Sequence, residues 1–417
     1  MLKQAASLDL RDITVRTDLG STLQDIPAAD AGTVKVPYRV ELLDSINEVS
    51  AEEWDGLVGN GAITRSHAYL DAVQTAAVAG CRYFFVVVRA LDGAIAAHAC
   101  IYLVDTDFLQ LMPRWLQPAI QGLRRVWPRL FKARITECAA PLVTGSSISV
   151  RSGENRARMI SFVESAMQAL ARREGSRLLV LRDFFEHDIP ATDFLRRRGY
   201  KRVHNLPLAR IEIRWPNYAA YLDAMRSRYR KDVRRRLNLA AGNGQRVEVM
   251  HEFGASAAQW AEQAAAVCAR TRSFKRETLN AAYYRSMNDK LGGASQMLVV
   301  VQAARRVAHG MLLCDAESTT ATYFGREPGP PGGEWFQLIN EAVRVAIERR
   351  SRWLNLGLGS YDAKTLVGAE IVPLFVYTRC TVSWLNRLIK LVPDLMRRDA
   401  FAERRIFAAE PGCPTSE

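Results

Sequence analysis

The sequence lacks any closely spaced pair of cysteines. Its seven cysteines, an odd number, stand far apart at positions 81, 100, 138, 268, 314, 380 and 413. The absence of a CxxC spacing excludes the common zinc-binding modules, and such scattered cysteines do not form the disulfide framework of a small secreted domain. We therefore expect no metal site, and we expect a protein of the reducing cytoplasm.

Long apolar runs are also missing. The first 19 residues mix charged side chains into every turn, so they do not form the apolar centre of a secretory signal peptide. The two most apolar stretches, residues 83–104 and 297–314, are interrupted by charged residues, among them Arg89 and Arg305. Neither stretch predicts a helix that spans a membrane.

Acidic residues are in deficit. The chain has 57 Lys and Arg against 44 Asp and Glu, which gives a formal net charge of +13. This excess favours an anionic partner, and nucleic acid, a phosphate-bearing small molecule and an anionic membrane all fit it. At 417 residues, of which 48% are hydrophobic, the chain is long enough for two globular domains.

Two apolar segments share one internal plan. A valine run at residues 86–88 and another at 299–301 are each followed by a turn and a second apolar strand. β-Branched runs on either side of a turn predict a β-hairpin in each segment. His98 and His309 occupy the same place in the two hairpins, so we expect His309 to be structural.

The correspondence continues downstream. Each hairpin is followed by a helix with apolar periodicity, at residues 161–175 and 336–350, and each helix leads into a strand, at 176–181 and 351–356. Four matching elements in one order predict a duplicated α/β unit. The first copy carries an insertion at residues 105–134.

We therefore predict an α/β fold of two tandem units with mixed sheets flanked by helices. The predicted order is a flexible leader at residues 1–36, a first unit at 37–212 and a second unit at 213–383. A basic amphipathic helix and a disordered tail are expected at residues 384–417.

The order of elements resembles a known fold. A hairpin, a loop, a helix, a strand and a last strand hairpin follow one another in the GNAT acyltransferase fold, and two such units in tandem resemble the FemAB-like group of aminoacyl and acyl transferases. "RYRKDVRRRL", which opens the second unit, and "LNLGLGSYDAKTLVGAEIVPLFVY", which closes it, are similar to predicted N-acyltransferases of that group. The resemblance covers residues 37–385 and implies two tandem GNAT-like units.

The resemblance implies a donor-binding loop between a strand and a helix. There, backbone N–H groups and the positive end of the helix hold the pyrophosphate of acyl-CoA. "GREPGPPGGEW" has Arg326 and Gly329 at the family's spacing, but Pro331 stands where the family has Gly or Ala. Proline has no N–H, so Gly332 and Gly333 would supply the donors one step later. The alternative is a plain Pro/Gly loop.

The resemblance also implies a catalytic lysine. In Fem-type transferases a lysine before the last strands stands close to the transferred carbonyl. The similar residue here is Lys364, which implies stabilisation of the oxyanion that forms when an amine attacks a thioester. The duplicate position holds Leu195. We therefore place the active centre in the second unit, and we regard the first as a degenerate scaffold that helps to form a cleft.

Transfer to an amine also requires a base that removes the ammonium proton. Tyr361 and Glu334 are the favoured candidates, because each adjoins one of the two motifs. Tyr323 and Asp362 rank below them, since Asp362 fits the cap of a helix equally well.

The stretch "RSRYRKDVRRRL" at residues 226–237 predicts an amphipathic helix, because its apolar residues recur every four positions beside a dense basic face. Like charges one turn apart repel, so we expect an anion to bind Arg230, Arg234 and Arg235. CoA phosphates, a phosphorylated acceptor or a tRNA backbone would fit. Sequence-specific DNA binding is disfavoured, because aromatic residues are not interleaved with the arginines beyond one tyrosine. A solvated surface is the alternative.

The insertion mixes Trp115 and Trp127 with basic residues, a composition expected of a helix that lies in a membrane interface. A lid over the cleft and a helix packed on the neighbouring unit are the alternatives. The tail from Ser383 is also basic and amphipathic, so peripheral contact with the inner membrane leaflet stays open.

The resemblance thus implies an N-acyltransferase that moves an acyl group from a thioester, acyl-CoA, to a small-molecule or peptide amine by direct attack. Aminoacyl transfer from tRNA to a peptide or cell-wall precursor is the alternative reaction. A non-catalytic GNAT-fold protein that binds an anionic ligand or a membrane surface is the alternative of another class, because Pro331 alters the phosphate loop.

Overall fold

The computed structural model describes residues 38–59, 61–111, 115–270, 277–330, 332–384, 386–387, 404 and 406–408. The predicted leader, Pro331 and most of the predicted C-terminal helix and tail lie outside these residues. Within the described ranges, no helix is both long enough and apolar enough to cross a membrane.

The first half of the chain carries eight strands and six helices in its described residues. The strands are β1 (Tyr38–Leu43), β2 (Arg82–Ala90), β3 (Ile95–Asp107), β4 (Lys132–Cys138), β5 (Ser149–Val150), β6 (Leu178–Phe184), β7 (Lys201–His204) and β8 (Leu208–Glu212). The helices are α1 (Ala51–Val58), α2 (His67–Ala76), α3 (Gln117–Leu123), α4 (Arg156–Arg173), α5 (Ile189–Thr192) and α6 (Phe194–Arg197).

The second half opens with two additional helices and then repeats this order without counterparts of α3, β5 and α5 among its described residues. Its helices are α7 (Tyr218–Ala224), α8 (Ser227–Gly242), α9 (Ala257–Arg270), α10 (Ala281–Leu291), α11 (Glu334–Glu348) and α12 (Tyr361–Thr365). Its strands are β9 (Gln245–Met250), β10 (Ser295–Gln302), β11 (Arg305–Cys314), β12 (Ser318–Arg326), β13 (Trp353–Gly357), β14 (Glu370–Val372) and β15 (Phe375–Cys380). The two predicted hairpins are β2–β3 and β10–β11, and the predicted helices are α4 and α11, so this part of the prediction is confirmed.

Polar side chains fix where several of the helices begin. Ser50, Ser66, Asn155 and Asn280 each precede a helix, and each side chain accepts the backbone N–H three residues later. This contact satisfies one of the N–H groups that a first helical turn leaves without a partner.

Two mixed sheets form the centre of the molecule. The first has the order β1-β2-β3-β4-β6-β15-β7, with β5 paired to β3, and the second has the order β14-β8-β13-β12-β11-β10-β9. Each sheet contains one parallel pair, β4–β6 in the first and β12–β13 in the second. The remaining pairs are antiparallel.

The sheets exchange one strand each. β8 leaves the first half and lies between β13 and β14, whereas β15 returns from the second half and lies between β6 and β7. The boundary predicted between residues 212 and 213 therefore divides the chain but not the sheets, because strand pairing joins residues that are distant in the sequence.

The valine-rich strands are buried on both faces. Along β2, Phe84 and Val86 pack into a core that includes α4, whereas Phe85 and Val87 face the other way. The core that contains Phe85 and Val87 also includes residues of α2, α9 and α10, so it joins the two halves. Because successive side chains of a strand point to opposite faces, coverage on both faces requires an unbroken apolar run.

The paired histidines of the two hairpins are structural. His98 stacks on Trp54 and its Nε2 lies 3.1 Å from the Trp54 carbonyl oxygen. In the second half, His309 Nδ1 lies 2.8 Å from Oε1 of Gln263 and Nε2 lies 3.1 Å from the Tyr284 hydroxyl. Burial lowers the pKa of each imidazole to about 3, so both are neutral at physiological pH.

The close packing around His309 makes Gly325 sensitive to substitution. A Cβ at Gly325 would overlap the His309 ring and lie 2.9 Å from the Ala264 backbone nitrogen. We expect Gly325→Ala to lower the free energy of unfolding by roughly 1–3 kcal/mol, the usual range for overpacking a core. Urea denaturation measures this loss.

Gly310→Ala is the matched control on the neighbouring strand. There the new Cβ would meet its nearest neighbour, Leu338 Cδ1, at 3.8 Å, an ordinary contact. We expect a change below about 1 kcal/mol. Equal destabilisation by the two substitutions would contradict the packing described for His309.

Candidate active site

A cavity opens where the two parallel strands of the second sheet diverge. β12 and β13 pair over three residues, Ser318 to Thr320 opposite Trp353 to Asn355, and share no ladder pairs beyond them in these described strands. β12 nevertheless continues to Arg326. Beyond the last pair, residues of both strands line a cavity of about 600 Å³.

The second half supplies most of the cavity wall. β12 contributes residues 320–324, β13 and the following turn contribute 355–358, and α11 contributes one face with Trp335, Leu338 and Ile339. Spacings of three and four residues place these side chains on the same side of a helix. The cavity is therefore a property of the second unit's strand, helix and turn together.

The first half closes the opposite side. Leu142, Val143 and Thr144, which follow β4, line the cavity together with Arg182 at the end of β6 and Asn205. β4 ends at Cys138, where its pairing with β6 also ends, so no equivalent gap forms between these two strands. The cavity thus lies in a cleft between the two halves.

Lys364 lies in the wall of this cavity. It belongs to α12, which follows a tight turn in which Gly357, Gly359 and Ser360 all adopt positive φ. Its Nζ donates to the Leu358 carbonyl at 2.9 Å, which leaves two of its three donors for another group. Burial lowers the pKa of Lys364 to about 8, because a charged ammonium is desolvated there.

The duplicate position in the first half holds a residue without an ionisable group. Leu195 of α6 is fully buried and packs into the apolar core of the first half. At equivalent points of the repeat, the second half therefore has a titratable side chain, Lys364, and the first half has an aliphatic one, Leu195.

Tyr361 and Glu334 do not line the cavity. The Tyr361 hydroxyl donates to the Pro207 carbonyl at 2.7 Å, a contact between α12 and the segment that leads into β8. The Glu334 carboxylate accepts the Gly332 N–H at 3.0 and 3.1 Å. The structure thus brings these two residues to the borders of the site, on the same helices as Lys364 and Trp335.

The predicted donor loop joins β12 to α11, as expected from its sequence. The side chain at its start, Arg326, bonds within the loop. The Arg326 guanidinium donates to the carbonyls of Gly329, at 2.7 Å, and Pro330, at 3.1 Å. Gly333 adopts a φ of 88° directly before α11. None of these residues lines the cavity, and the first residue of α11 that does is its second, Trp335.

Two charged residues in the cavity were not found from the sequence. Arg182 stands beside Asp183 near the end of the apolar strand "LLVLRDF", and this pair of charges in an apolar strand was the available signal. It bonds to Glu137, to Asp183 at 2.6 Å and to the Tyr102 hydroxyl at 2.9 Å. Burial alone would lower the pKa of Arg182, but the neighbouring acids raise it. Glu277, which no motif marks, is the only carboxylate lining the cavity among the described residues.

Tyr323 marks an irregularity in β12. Its φ is 25°, and the register between β11 and β12 shifts at this point. Such a bulge re-aims a side chain and disrupts the ladder locally. Tyr323 lines the cavity, and burial raises the pKa of its hydroxyl well above the usual range, so it is a neutral donor.

The basic stretch forms the predicted helix α8. Arg230 donates to the Asp223 carbonyl at 2.9 Å, Arg234 lies 3.6 Å from the Asp223 carboxylate, and Arg235 pairs with Asp232 at 2.6 Å. These local acids offset part of the repulsion along the helix. Arg235 also lines a shallow depression that reaches Leu366, two residues beyond Lys364.

Within the described ranges, no group of three or more His, Cys, Asp or Glu residues is arranged to hold a metal ion.

Comparison with known proteins identifies a family. A model for FemAB-like proteins, described as peptidoglycan biosynthesis/recognition, matches residues 45–357. The putative 8-amino-7-oxononanoate synthase 2 of Mycobacterium tuberculosis is 22% identical over 319 residues, which make up 75% of this chain and 41% of that protein. The chain therefore spans less than half the length of this relative.

Solved structures share the architecture. FemX has a TM-score of 0.52 at 12% identity, over 82% of this chain and 98% of that chain. The C-terminal domain of a putative lysylphosphatidylglycerol synthetase from Agrobacterium fabrum has a TM-score of 0.50 at 12% identity, over 83% and 96%. The predicted fold class, tandem GNAT-like units with mixed sheets, is confirmed.

The buried position of Lys364 predicts a pH-dependent stability. Its folded-state pKa of about 8 lies below the ordinary value of 10.5, so between these values the unfolded chain binds more protons. Stability contributed by Lys364 therefore rises from pH 8 to 10.5. Relative to Lys364→Met, we expect the parent to gain up to about 3 kcal/mol over this range.

Urea unfolding at several pH values measures the difference between parent and variant. Lys231→Met, which removes an exposed lysine of α8, controls for the loss of a surface charge. A difference between parent and Lys364→Met that stays constant from pH 7 to 10.5 would show that the ammonium is not desolvated.

Proposed function

The chain belongs to the FemAB-like family, and from this premise we propose that it is an N-acyltransferase that moves an acyl group from acyl-CoA to an amine. The observation that carries the proposal is the gap between β12 and β13, which opens a cavity with Lys364 in its wall. A gap of this kind suits an extended donor whose reactive end must reach a buried cation.

The diverging strands suit the amide-bearing arm of CoA. Beyond Thr320 and Asn355 the two strands share no ladder pairs, so the main-chain N–H and C=O groups on their facing sides have no ladder partners across the gap, and residues of both strands line the cavity. An extended chain that carries amides can pair with such groups, as peptides do when they add to a sheet edge. The arm would then lie along β12 with its thioester directed toward Lys364.

The loop before α11 would receive the phosphates. It follows β12 directly, and the N-terminus of a 15-residue helix favours an anion. Here the Glu334 carboxylate already accepts the Gly332 N–H, so it occupies the place of an anion. Donor binding therefore requires the Glu334 side chain to turn away and Arg326 to leave the carbonyls of its own loop.

The proposed reaction is direct attack of the amine on the thioester carbonyl. A C–N bond forms, the carbonyl oxygen becomes an oxyanion, and collapse breaks the C–S bond and releases the CoA thiolate, which takes up a proton. Lys364, largely protonated at neutral pH with a pKa of about 8, would stabilise the oxyanion. We propose Glu277, the carboxylate in the cavity, as acceptor of the ammonium proton, with Tyr361 as a positioning residue.

Aminoacyl-tRNA is the second candidate donor, and α8 is the observation that favours it. Arg230, Arg234 and Arg235 lie on a helix whose basic face is mostly exposed, and phosphate contacts need no sequence signature. In both cases the acceptor is an amine, supplied by a small molecule or a peptide.

The role of Lys364 is tested by kinetics. With an acyl-CoA panel and amine acceptors, we expect Lys364→Met to lower kcat by about two to three orders of magnitude, as the loss of one oxyanion donor does elsewhere. Leu195→Met, at the duplicate position, should keep the parent's kcat. Equal damage from both substitutions would contradict an active centre confined to the second unit.

The role of the loop is tested by calorimetry of donor binding. Gly332→Val would place a side chain against Glu334 Oε1 and Gln245 Nε2 and should weaken acyl-CoA binding about tenfold or more. Glu334→Ala removes the competing carboxylate and should strengthen it. Gly293→Val, whose Cβ would meet nothing within 4 Å, is the control.

Titration of aminoacyl-tRNA into the same proteins separates the two donors. If the parent binds aminoacyl-tRNA tightly but does not bind acyl-CoA, and Arg230→Gln/Arg234→Gln/Arg235→Gln loses the tRNA binding, aminoacyl-tRNA is the donor. Unchanged acyl-CoA affinity in both Gly332→Val and Glu334→Ala would remove the loop from the site.

A further inference from the structure

Exposed hydrophobic side chains are concentrated in the insertion between β3 and β4. Half of the ten large hydrophobic side chains that the described residues expose lie between positions 115 and 131, a stretch we call the tryptophan segment: Trp115, Leu123, Val126, Trp127 and Phe131. Trp115 is 79% exposed and Trp127 is 63% exposed. A concentrated apolar patch of this kind marks an interaction surface, whereas single exposed side chains do not.

The charges within the tryptophan segment are all positive. No Asp or Glu occurs from residue 108 to 136. Arg124 and Arg134 pair with Asp107 and Asp105 of β3, at 2.6 and 3.0 Å, and so fasten the segment to the sheet. Three further basic side chains are exposed and form no ion pair with any described residue: Arg125, Arg129 and Lys132.

A third exposed tryptophan follows β15, at the same end of the first sheet. β15 ends at Cys380 opposite Leu178, and the chain continues to Trp384, 65% exposed, and Arg387. β4 begins at this end as well, with Ile135 opposite Leu178 on the other side of β6. Strands lie about 4.8 Å apart, so Cys380 and Ile135, which are two strands apart, lie about 10 Å from each other.

We propose that the tryptophan segment, together with Trp384 at the same end of the first sheet, docks the protein onto the surface of an anionic lipid bilayer. Tryptophan favours the boundary between headgroups and acyl chains, where its ring is in apolar surroundings and its N–H stays hydrated. Anionic headgroups attract the unpaired basic side chains, each of which strengthens binding about fivefold. α3 has seven residues, so the segment lies on the membrane and does not cross it.

The tryptophan segment and the cavity lie at opposite ends of β6. Lys132 precedes Ile135, the residue paired with Leu178, by three positions, and Arg182 follows Leu178 by four. At about 3.3 Å per residue these levels are about 23 Å apart. The tryptophan segment is therefore not a lid over the cavity, and a docked molecule keeps the cavity open to water.

Sedimentation of the full chain with vesicles tests the proposal without reference to the proposed reaction. We expect binding to phosphatidylcholine vesicles that contain phosphatidylglycerol, weaker binding to phosphatidylcholine alone, and loss of binding at high salt. Trp115→Ser/Trp127→Ser should weaken binding at least about tenfold. Arg125→Gln/Arg129→Gln/Lys132→Gln should weaken it roughly a hundredfold and remove most of the salt dependence.

Two controls remove equivalent groups elsewhere. Leu91→Ser/Leu239→Ser deletes two exposed hydrophobic side chains outside the segment, and Lys231→Gln/Arg234→Gln/Arg235→Gln deletes three exposed charges of α8. Both should bind vesicles as the parent does, and thermal melting should show that every variant is folded. A parent that ignores anionic vesicles, or controls that lose binding equally, would overturn the proposal. Sedimentation velocity tests the alternative that the surface binds a second copy of the chain. Self-association of the parent that is lost in the tryptophan variant, while vesicle binding stays unchanged, would support that alternative.

Discussion

The reciprocal exchange of β8 and β15 is the constraint on which the rest of the structure depends. Each sheet is hydrogen-bonded through a strand that comes from the other half of the chain. The halves cannot rotate or separate without breaking a ladder inside a sheet, because neither exchanged strand lies at an edge. The cleft is held by the same bonds, so Arg182 of the first half and Lys364 of the second keep one relative position across the cavity.

The two copies of the repeat share one architecture but differ in whether two of their strands diverge to form a cavity. In the first, β4 ends where its pairing with β6 ends, and the Gly145 N–H in the loop that follows donates to the Asp183 carboxylate at 3.0 Å. In the second, β12 continues past its last pair with β13 and leaves a gap. A difference in strand length, rather than a different fold, therefore decides which copy has a cavity.

Periodic patterns made much of the fold predictable. The valine runs, the helix at 336–350 and the paired histidines each depend on local spacing, and the structure confirms them. The strand exchange was not predictable, because short strands such as β8 show which residues are buried but not which partner they pair with. In the site, Lys364 was found through a motif, whereas Arg182 and Glu277 belong to none. The bonds of Arg326 to its own loop depend on backbone geometry that residue types do not reveal.

The exchange also sets the order in which the protein is completed during synthesis. β6 ends at residue 184, but β15, which pairs with it, begins at residue 375. At about 5–20 residues per second, the ribosome needs roughly 10–40 s to make the intervening residues. Throughout that time the first half has an unpaired β6 edge, a surface on which another nascent chain could pair. The first sheet is therefore finished after translation of the second half, and neither half matures alone.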